Sequence, residues 1–222
     1  MLLLALDTAT PAITVALHDG EAVLASRHQV DARRHGELLL PAVHATLSEA
    51  GRTLHDVTGL VVGVGPGPYT GLRVGLVTAA GFGAALGIPV HGLCTLDGIA
   101  YAAGAAGVGG PFVVATDARR KEVYWARYAD ARTRATEPSV DRPADIVEQV
   151  TDVPSVGAGA LLYPDTFTGV RTDGPEHQSA AALAALAAEK LAAGEPFLPP
   201  LPMYLRRPDA KVPAGYKVVT PT

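Results

Sequence analysis

Residues 60–90 read LVVGVGPGPYTGLRVGLVTAAGFGAALGIPV. A short apolar run leads into a Gly/Pro loop, and from Val74 to Val90 there is no charged side chain. That order predicts a strand, a turn and a helix over 70–86. Gly71, Gly75, Ala79, Gly83 and Gly87 recur at i+4 spacing and so line one side of the helix. Each glycine costs up to about 1 kcal/mol of helix propensity. Close approach of another backbone, with no Cβ in the way, would compensate. The remaining faces carry Val74, Leu76, Val77, Phe82 and Leu86. A helix apolar all round is buried all round, which in a small chain predicts a partner on one side. A membrane span is excluded: the uncharged run is short of the ~20 residues needed and holds Pro89 and several glycines.

Upstream, the apolar run Leu2–Leu6 predicts a central strand, Thr8–Pro11 a turn, Ile13–Leu17 and Ala22–His28 two further strands around Asp19-Gly20. From His35 to Ala50 the spacing of Leu39, Val43 and Leu47 is helical. Leu38 and Leu40 widen that apolar face, Pro41 is expected in the first turns of a late-starting helix, and Gly51 fits the C-cap. Val90–Leu93 is another strand. Gly104–Gly110 (GAAGVGG) has linker composition. Past it the scheme restarts: Phe112–Asp117 and Glu122–Tyr128 as strands about the turn Ala118–Lys121, a helix near 144–150, a strand at 155–157, and a helix over 179–193 capped by Ser179 and Gly194. LLLALDTAT and FVVATDARR share a strand ending in Asp followed by a turn, a weak internal repeat. The reading is α/β: an N-terminal lobe (1–103), a linker (104–110) and a smaller C-terminal lobe (111–222) ending in an extended proline-rich tail.

Composition narrows the chemistry. A net charge of −4 argues against independent nucleic-acid binding. The single cysteine, Cys94, excludes an internal disulfide, and MLLLALDTAT lacks the basic start of a signal peptide, which together fit the cytoplasm. None of the seven histidines forms an HxxxH or HExxH pair, so no metal site is expected, and no GxSxG elbow is present. After Gly71 comes Leu72-Arg73 rather than Lys-Ser/Thr, so the Gly/Pro loop is not a Walker motif. Asp7, Thr8 and Thr10, with Asp117, Gly157 and Gly159 from the second half, form a weak phosphate-binding candidate. The competing reading, a carboxylate closing a hairpin turn, is favoured by turn chemistry.

DTAT, GVGPGPYTGLRVGL, ATDARRKEVYWARY and MYLRRPDA together resemble the TsaB family, and the likeness runs over residues 1–210. It implies two tandem actin-like (RNase H-type) lobes, each a mixed sheet with helices. It also implies a non-catalytic scaffold that supports TsaD, with TsaE, in forming threonylcarbamoyladenosine beside the tRNA anticodon. In the catalytic relative TsaD, two histidines of an Asn-His-Leu-Glu-Ala-His motif bind metal; laid on this chain, Thr95 and Ile99 take their places. By that resemblance this chain needs no cofactor, ATP and a metal ion sit on the partner subunits, and tRNA is met only through the complex. Pairing with TsaD, or with a second copy, would use Leu39, Val43 and Leu47 with Gly71, Leu72, Gly75, Leu76, Ala79 and Phe82. Gly75→Leu is expected to block pairing while leaving the monomer folded. The tail residues Tyr204, Arg206 and Arg207 match the family's ending. The alternative is an autonomous actin-like nucleotide-binding enzyme built on Asp7, Thr8 and Asp117.

Overall fold

A computed structural model describes residues 1–206. The chain opens with β1 (Leu3–Asp7), β2 (Ala12–His18) and β3 (Val23–Val30) as an antiparallel meander. Then come α1 (His35–Glu49), β4 (Gly59–Gly63), α2 (Tyr69–Leu86), β5 (Val90–Leu93) and α3 (Thr95–Ala105). The second half runs β6 (Phe112–Asp117), β7 (Val123–Asp130), β8 (Thr133–Arg134), β9 (Ser139–Asp141), α4 (Val147–Val150), β10 (Ser155–Val156), α5 (Ala158–Leu162) and α6 (Ala180–Ala193). Sheet order is β3-β2-β1-β4-β5, with β4 and β5 parallel to their neighbours; the second sheet is β10-β6-β7-β8, β9 also pairing with β7. Each sheet joins an antiparallel hairpin to a parallel strand, the duplicated actin-like plan. No helix among the described residues is long and apolar enough to cross a membrane.

Alternation along β1 divides the first core. Leu4 and Leu6 face α1 and α2, packing with Leu39, Val43, Leu72 and Leu76. Leu3 and Ala5 face the other way, onto Leu183, Ala184 and Ala187 of α6. The last helix, expected in the second lobe, therefore covers the back of the first sheet. The helix beside it, α3, packs Leu96, Ile99, Ala100 and Ala103 on Phe112, Val114 and Tyr128 of the second sheet. Each lobe is thus completed by a helix from the other half of the chain. This also changes the linker: α3 extends to Ala105, Val108 is buried in the same core, and only Gly107 and Gly110 turn with positive φ.

Cap chemistry fixes the helix ends. At the end of α1, Gly51 at φ +62° lets its own N–H bond Ser48 O and Arg52 N–H bond Leu47 O, a Schellman closure. Ser179 Oγ accepts from Ala182 N at the start of α6, and Gly194 at φ +67° ends it. Pro41 falls inside α1 rather than in its first turns, because the helix begins at His35. It and Glu37 are exposed, so water can satisfy the carbonyl the missing N–H leaves. Nor is α2 buried all round: Arg73, Val77, Ala80, Gly81 and Ala84 form an exposed outer strip, and Gly87 is its left-handed C-cap, outside the helix.

Candidate functional site

The two hairpin turns, residues 7–12 and 117–123, flank one cleft between the lobes, with Thr8 and Thr10 on one wall and Arg119 on the other. On the first wall the side chains of Asp7, Thr8, Thr10 and His35 are already engaged. Asp7 is fully buried; its Oδ1 accepts from Ala9 N at 2.8 Å and its Oδ2 from Thr95 Oγ1 at 2.9 Å. Burial pushes its carboxyl up to about 6, against the pull of the Ala9 N–H and the Thr95 hydroxyl. Gly63 on β4 is what admits that carboxylate, since a Cβ there would collide with Oδ2. Thr8 Oγ1 donates to Gly71 O at 2.8 Å and accepts from Gly75 N at 2.9 Å, pinning the first turns of α2. Thr10 Oγ1 bonds Gln178 Oε1, and Gln178 Nε2 donates to Ala12 O at 2.8 Å. His35 Nε2 lies 2.8 Å from Thr10 O.

The second wall is more open. Asp117 Oδ1 accepts from Arg119 N at 2.8 Å, and Oδ2 pairs with the Arg119 guanidinium at 3.2 Å. Arg119, Arg120 and Lys121 all take left-handed φ (62°, 56°, 61°), an uncommon run for residues with a Cβ. Gly157 and Gly159, the other phosphate candidates, are there for packing. A Cβ on Gly157 would collide with Ala115 O, and one on Gly159 would meet the Thr116 carbonyl at 2.8 Å. They let the short α5 lie against β6.

These residues do not fit a phosphate or a metal. A phosphate needs several uncommitted donors, and the hydroxyls of Thr8 and Thr10 are already bonded within the chain. Thr95, at the first of the two compared histidine positions, is fully buried; it gives its hydroxyl to Asp7 and accepts from Gly65 N at 3.2 Å. Ile99, at the second, is core. Among the described residues no group of three or more His, Cys, Asp or Glu side chains is placed to hold a metal ion.

The expected interface residues are mostly in the chain's own core. Leu39, Val43, Leu47, Leu72, Leu76 and Ala79 are buried against the first sheet, as are Gly71 and Gly75. The glycine stripe does mark a close approach, but to the chain's own first turn: a Cβ on Gly71 would stand 2.8 Å from Thr8 O, and one on Gly75 2.7 Å from Thr8 Oγ1. Phe82 alone of the nine is partly exposed. Phe82 borders a groove of about 450 Å³ with Leu40, which is 54% exposed, and with Val43 and Leu47 of the expected set; Val77, 69% exposed, stands on a different side of α2 beside Tyr69 and Arg73.

Three contributors lay outside the sequence reading. Gln178 precedes the N-cap of α6 and gave no signal of reaching the first turn. Tyr69 and Arg73 hold the tail: Tyr204 stacks on Tyr69 at 4.5 Å, and Arg73 Nε donates to Tyr204 Oη at 2.7 Å. Arg206 crosses to the second lobe, donating to Ala118 O at 3.2 Å and pairing with Glu122. Both tail residues thus touch their own chain; Arg207 lies outside the described residues.

The family model described as TsaD, tRNA N6-adenosine threonylcarbamoyltransferase, matches residues 25–156. An uncharacterized protein of Mycobacterium tuberculosis is 47% identical over 214 residues, covering 94% of this chain and 93% of its own. The tRNA threonylcarbamoyladenosine biosynthesis protein TsaB of Haemophilus influenzae is 35% identical over 166 residues, covering 74% of this chain and 70% of its own. Among solved structures, YeaZ from Pseudomonas aeruginosa superposes with a TM-score of 0.77 at 32% identity, over 92% of this chain and 99% of that one.

Proposed function

The chain belongs to the TsaB family, and from that premise we propose that it is a non-catalytic subunit in tRNA threonylcarbamoyladenosine biosynthesis, a scaffold that supports TsaD and helps TsaE engage it. The observation that carries this reading is the fate of the two compared histidine positions. Thr95 spends its hydroxyl on Asp7 and the loop at Gly65, and Ile99 spends its side chain on the α3 core. Neither offers a neutral imidazole, so the transferase chemistry belongs to the partner. In this reading ATP and the metal ion are held by the partner subunits, tRNA is reached only through the complex, and the work is done in the cytoplasm.

The surface for pairing is the outer face of α1 and α2, not the glycine stripe. Val77, Gly81 and Phe82 on α2 and Leu40 on α1 leave apolar area uncovered, and a Cβ at Gly81 would meet nothing within 4 Å. A helix-on-helix contact here would bury roughly 1,200–2,000 Å² in all. The same face serves TsaD or a second copy of this chain, so the two compete.

The test is an omission assay for modified tRNA with TsaD, TsaE, the threonylcarbamoyl-adenylate synthase, ATP, threonine, bicarbonate and tRNA. Product is expected only when this chain is present, and none when it replaces TsaD. If TsaD works equally well without it, the assembly role is wrong.

A further inference from the structure

The path of the chain beyond α6 is unlike that of a free tail. Leu198 pairs with Gly92 at the open edge of β5, both N–H···O bonds at 3.1 Å. Met203 N then donates to Val64 O at 2.8 Å, just past the end of β4, and its side chain packs into both lobes' cores. Tyr204 stacks on Tyr69 and accepts from Arg73, both at the start of α2. Two residues later Arg206 reaches over the cleft to Ala118 O and Glu122, on the hairpin of the second lobe.

The lobes are also joined by α3 and α6. Asp97 of α3 bonds Tyr128 Oη at 2.7 Å and pairs with Arg134 at 2.9 Å; Glu189 of α6 pairs with Arg132 at 2.7 Å. The tail adds a further bridge at the cleft itself, from the start of α2 to the 117–122 hairpin. The cleft left under it is two small cavities of about 220 and 270 Å³ sharing Pro68, Tyr69 and Arg119. Each is below the ~300–1,000 Å³ of ordinary ligand pockets. Tyr204, Leu205 and Arg206 form part of the wall of the first.

We propose that Met203–Arg206 is an intramolecular latch that shuts the cleft between the lobes and couples the start of α2 to the 117–122 hairpin. One end of the latch rests on Arg73, whose neighbour one turn on, Val77, is the most exposed apolar residue of α2. Whatever covers that face and draws Arg73 away from Tyr204 also loosens Arg206 from Glu122, so an event on α2 is felt in the second lobe. The coupling runs through a bridge of two side chains, and removing either end breaks it.

Amide hydrogen exchange on the full chain tests this without any partner. Arg206→Ala should speed exchange roughly tenfold at the amides of Ala118, Arg119 and Glu122 and at those of Gly65 and Leu72, while β1 and β6 stay protected. Glu122→Arg should do the same, and the exchanged pair Arg206→Glu with Glu122→Arg, which re-forms the ion pair but not the bond to Ala118 O, should recover part of the protection. No change at the 117–122 hairpin, an equal rise through β1 and β6, or a double variant as fast as the singles would each overturn the latch.

Discussion

The turns after β1 and β6 begin with the same sequence device, a strand ending in Asp, and end in opposite physical states. Asp7 has no exposed surface, while the Asp117 side chain keeps about a fifth of its surface in water (19%). The first turn is held by α2, whose glycines let Thr8 bond Gly71 O and Gly75 N. Among the described residues no long helix covers the second turn; α5 has five residues, and the turn closes on its own carboxylate through left-handed arginines and a lysine. A duplicated motif therefore says where a turn lies, but the helix packed on it decides whether its carboxylate is a buried tie or a surface clasp. In neither lobe is that carboxylate free for other chemistry.

The largest effect should come from filling the glycine seam of the first turn. Gly75→Leu drives a side chain into Thr8 and costs about 3–5 kcal/mol, a large share of the stability of a domain this size. Urea denaturation should show a destabilised or unfolded monomer, contrary to the expectation from sequence that only pairing would suffer. Val77→Asp, on the exposed strip of the same helix, should keep the melting curve within about 0.5 kcal/mol. It should abolish pairing with TsaD or with a second copy in sedimentation. If the two variants exchanged phenotypes, the glycine stripe would be the intermolecular seam after all.

Next in size is the contrast between the two aspartates. Asp7→Ala strands the buried Ala9 N–H and Thr95 hydroxyl and should cost about 2–3 kcal/mol. Asp117→Ala, at a partly hydrated clasp, should cost less than about 1 kcal/mol. The buried carboxylate also carries a pH signature. Its folded-state pKa of about 6 lies above the ordinary 3.8, so between those values the folded chain binds more protons than the unfolded one. Stability then falls as pH rises through that window, by up to about 3 kcal/mol from this group. Other carboxylates, such as Asp31 and Glu189, are held below their usual range by neighbouring hydrogen bonds and by Arg34 and Arg132, and they push the opposite way. The measurement is therefore a difference: from pH 4 to 7 the wild type should lose ground against Asp7→Asn. Parallel profiles would mean that Asp7 is ionised in both states.

Much of this contrast could be read in the sequence, and the rest could not for definite reasons. β1 and β6 announce themselves as continuous apolar runs ending in Asp, and α6 by Ser179 and Gly194 at its ends. α3 escaped although Leu96, Ile99, Ala100 and Ala103 have helical spacing, because the glycines from 104 onward read as a linker. That α6 closes the first sheet is a tertiary fact: an alanine-rich helix carries no mark of which sheet it will cover. The stripe from Gly71 to Gly83 correctly signalled a near backbone. It could not say whose, since a missing Cβ is equally suited to Thr8 of the same chain and to a partner. The roles of Gln178 and Tyr204 rest on contacts across 168 and 131 residues of chain, beyond any local pattern.

The smallest effect has the opposite sign and separates the turns most cleanly. Lys121 is exposed and sits at φ +61°. A residue with a Cβ costs roughly 1–2 kcal/mol in that region, whereas glycine enters it freely. Glycine also adds about 0.5–1 kcal/mol of backbone entropy to the unfolded chain. Lys121→Gly should therefore stabilise the protein by about 0.5–1 kcal/mol and raise the melting temperature by about 2 °C. At the first turn the corresponding small-residue change, Thr8→Gly, removes two bonds to α2 and must destabilise. A Lys121→Gly variant that melts lower than wild type would show that the second turn is held by its side chains as firmly as the first. The strain would then not mark it as the part of the cleft that yields when the latch lets go.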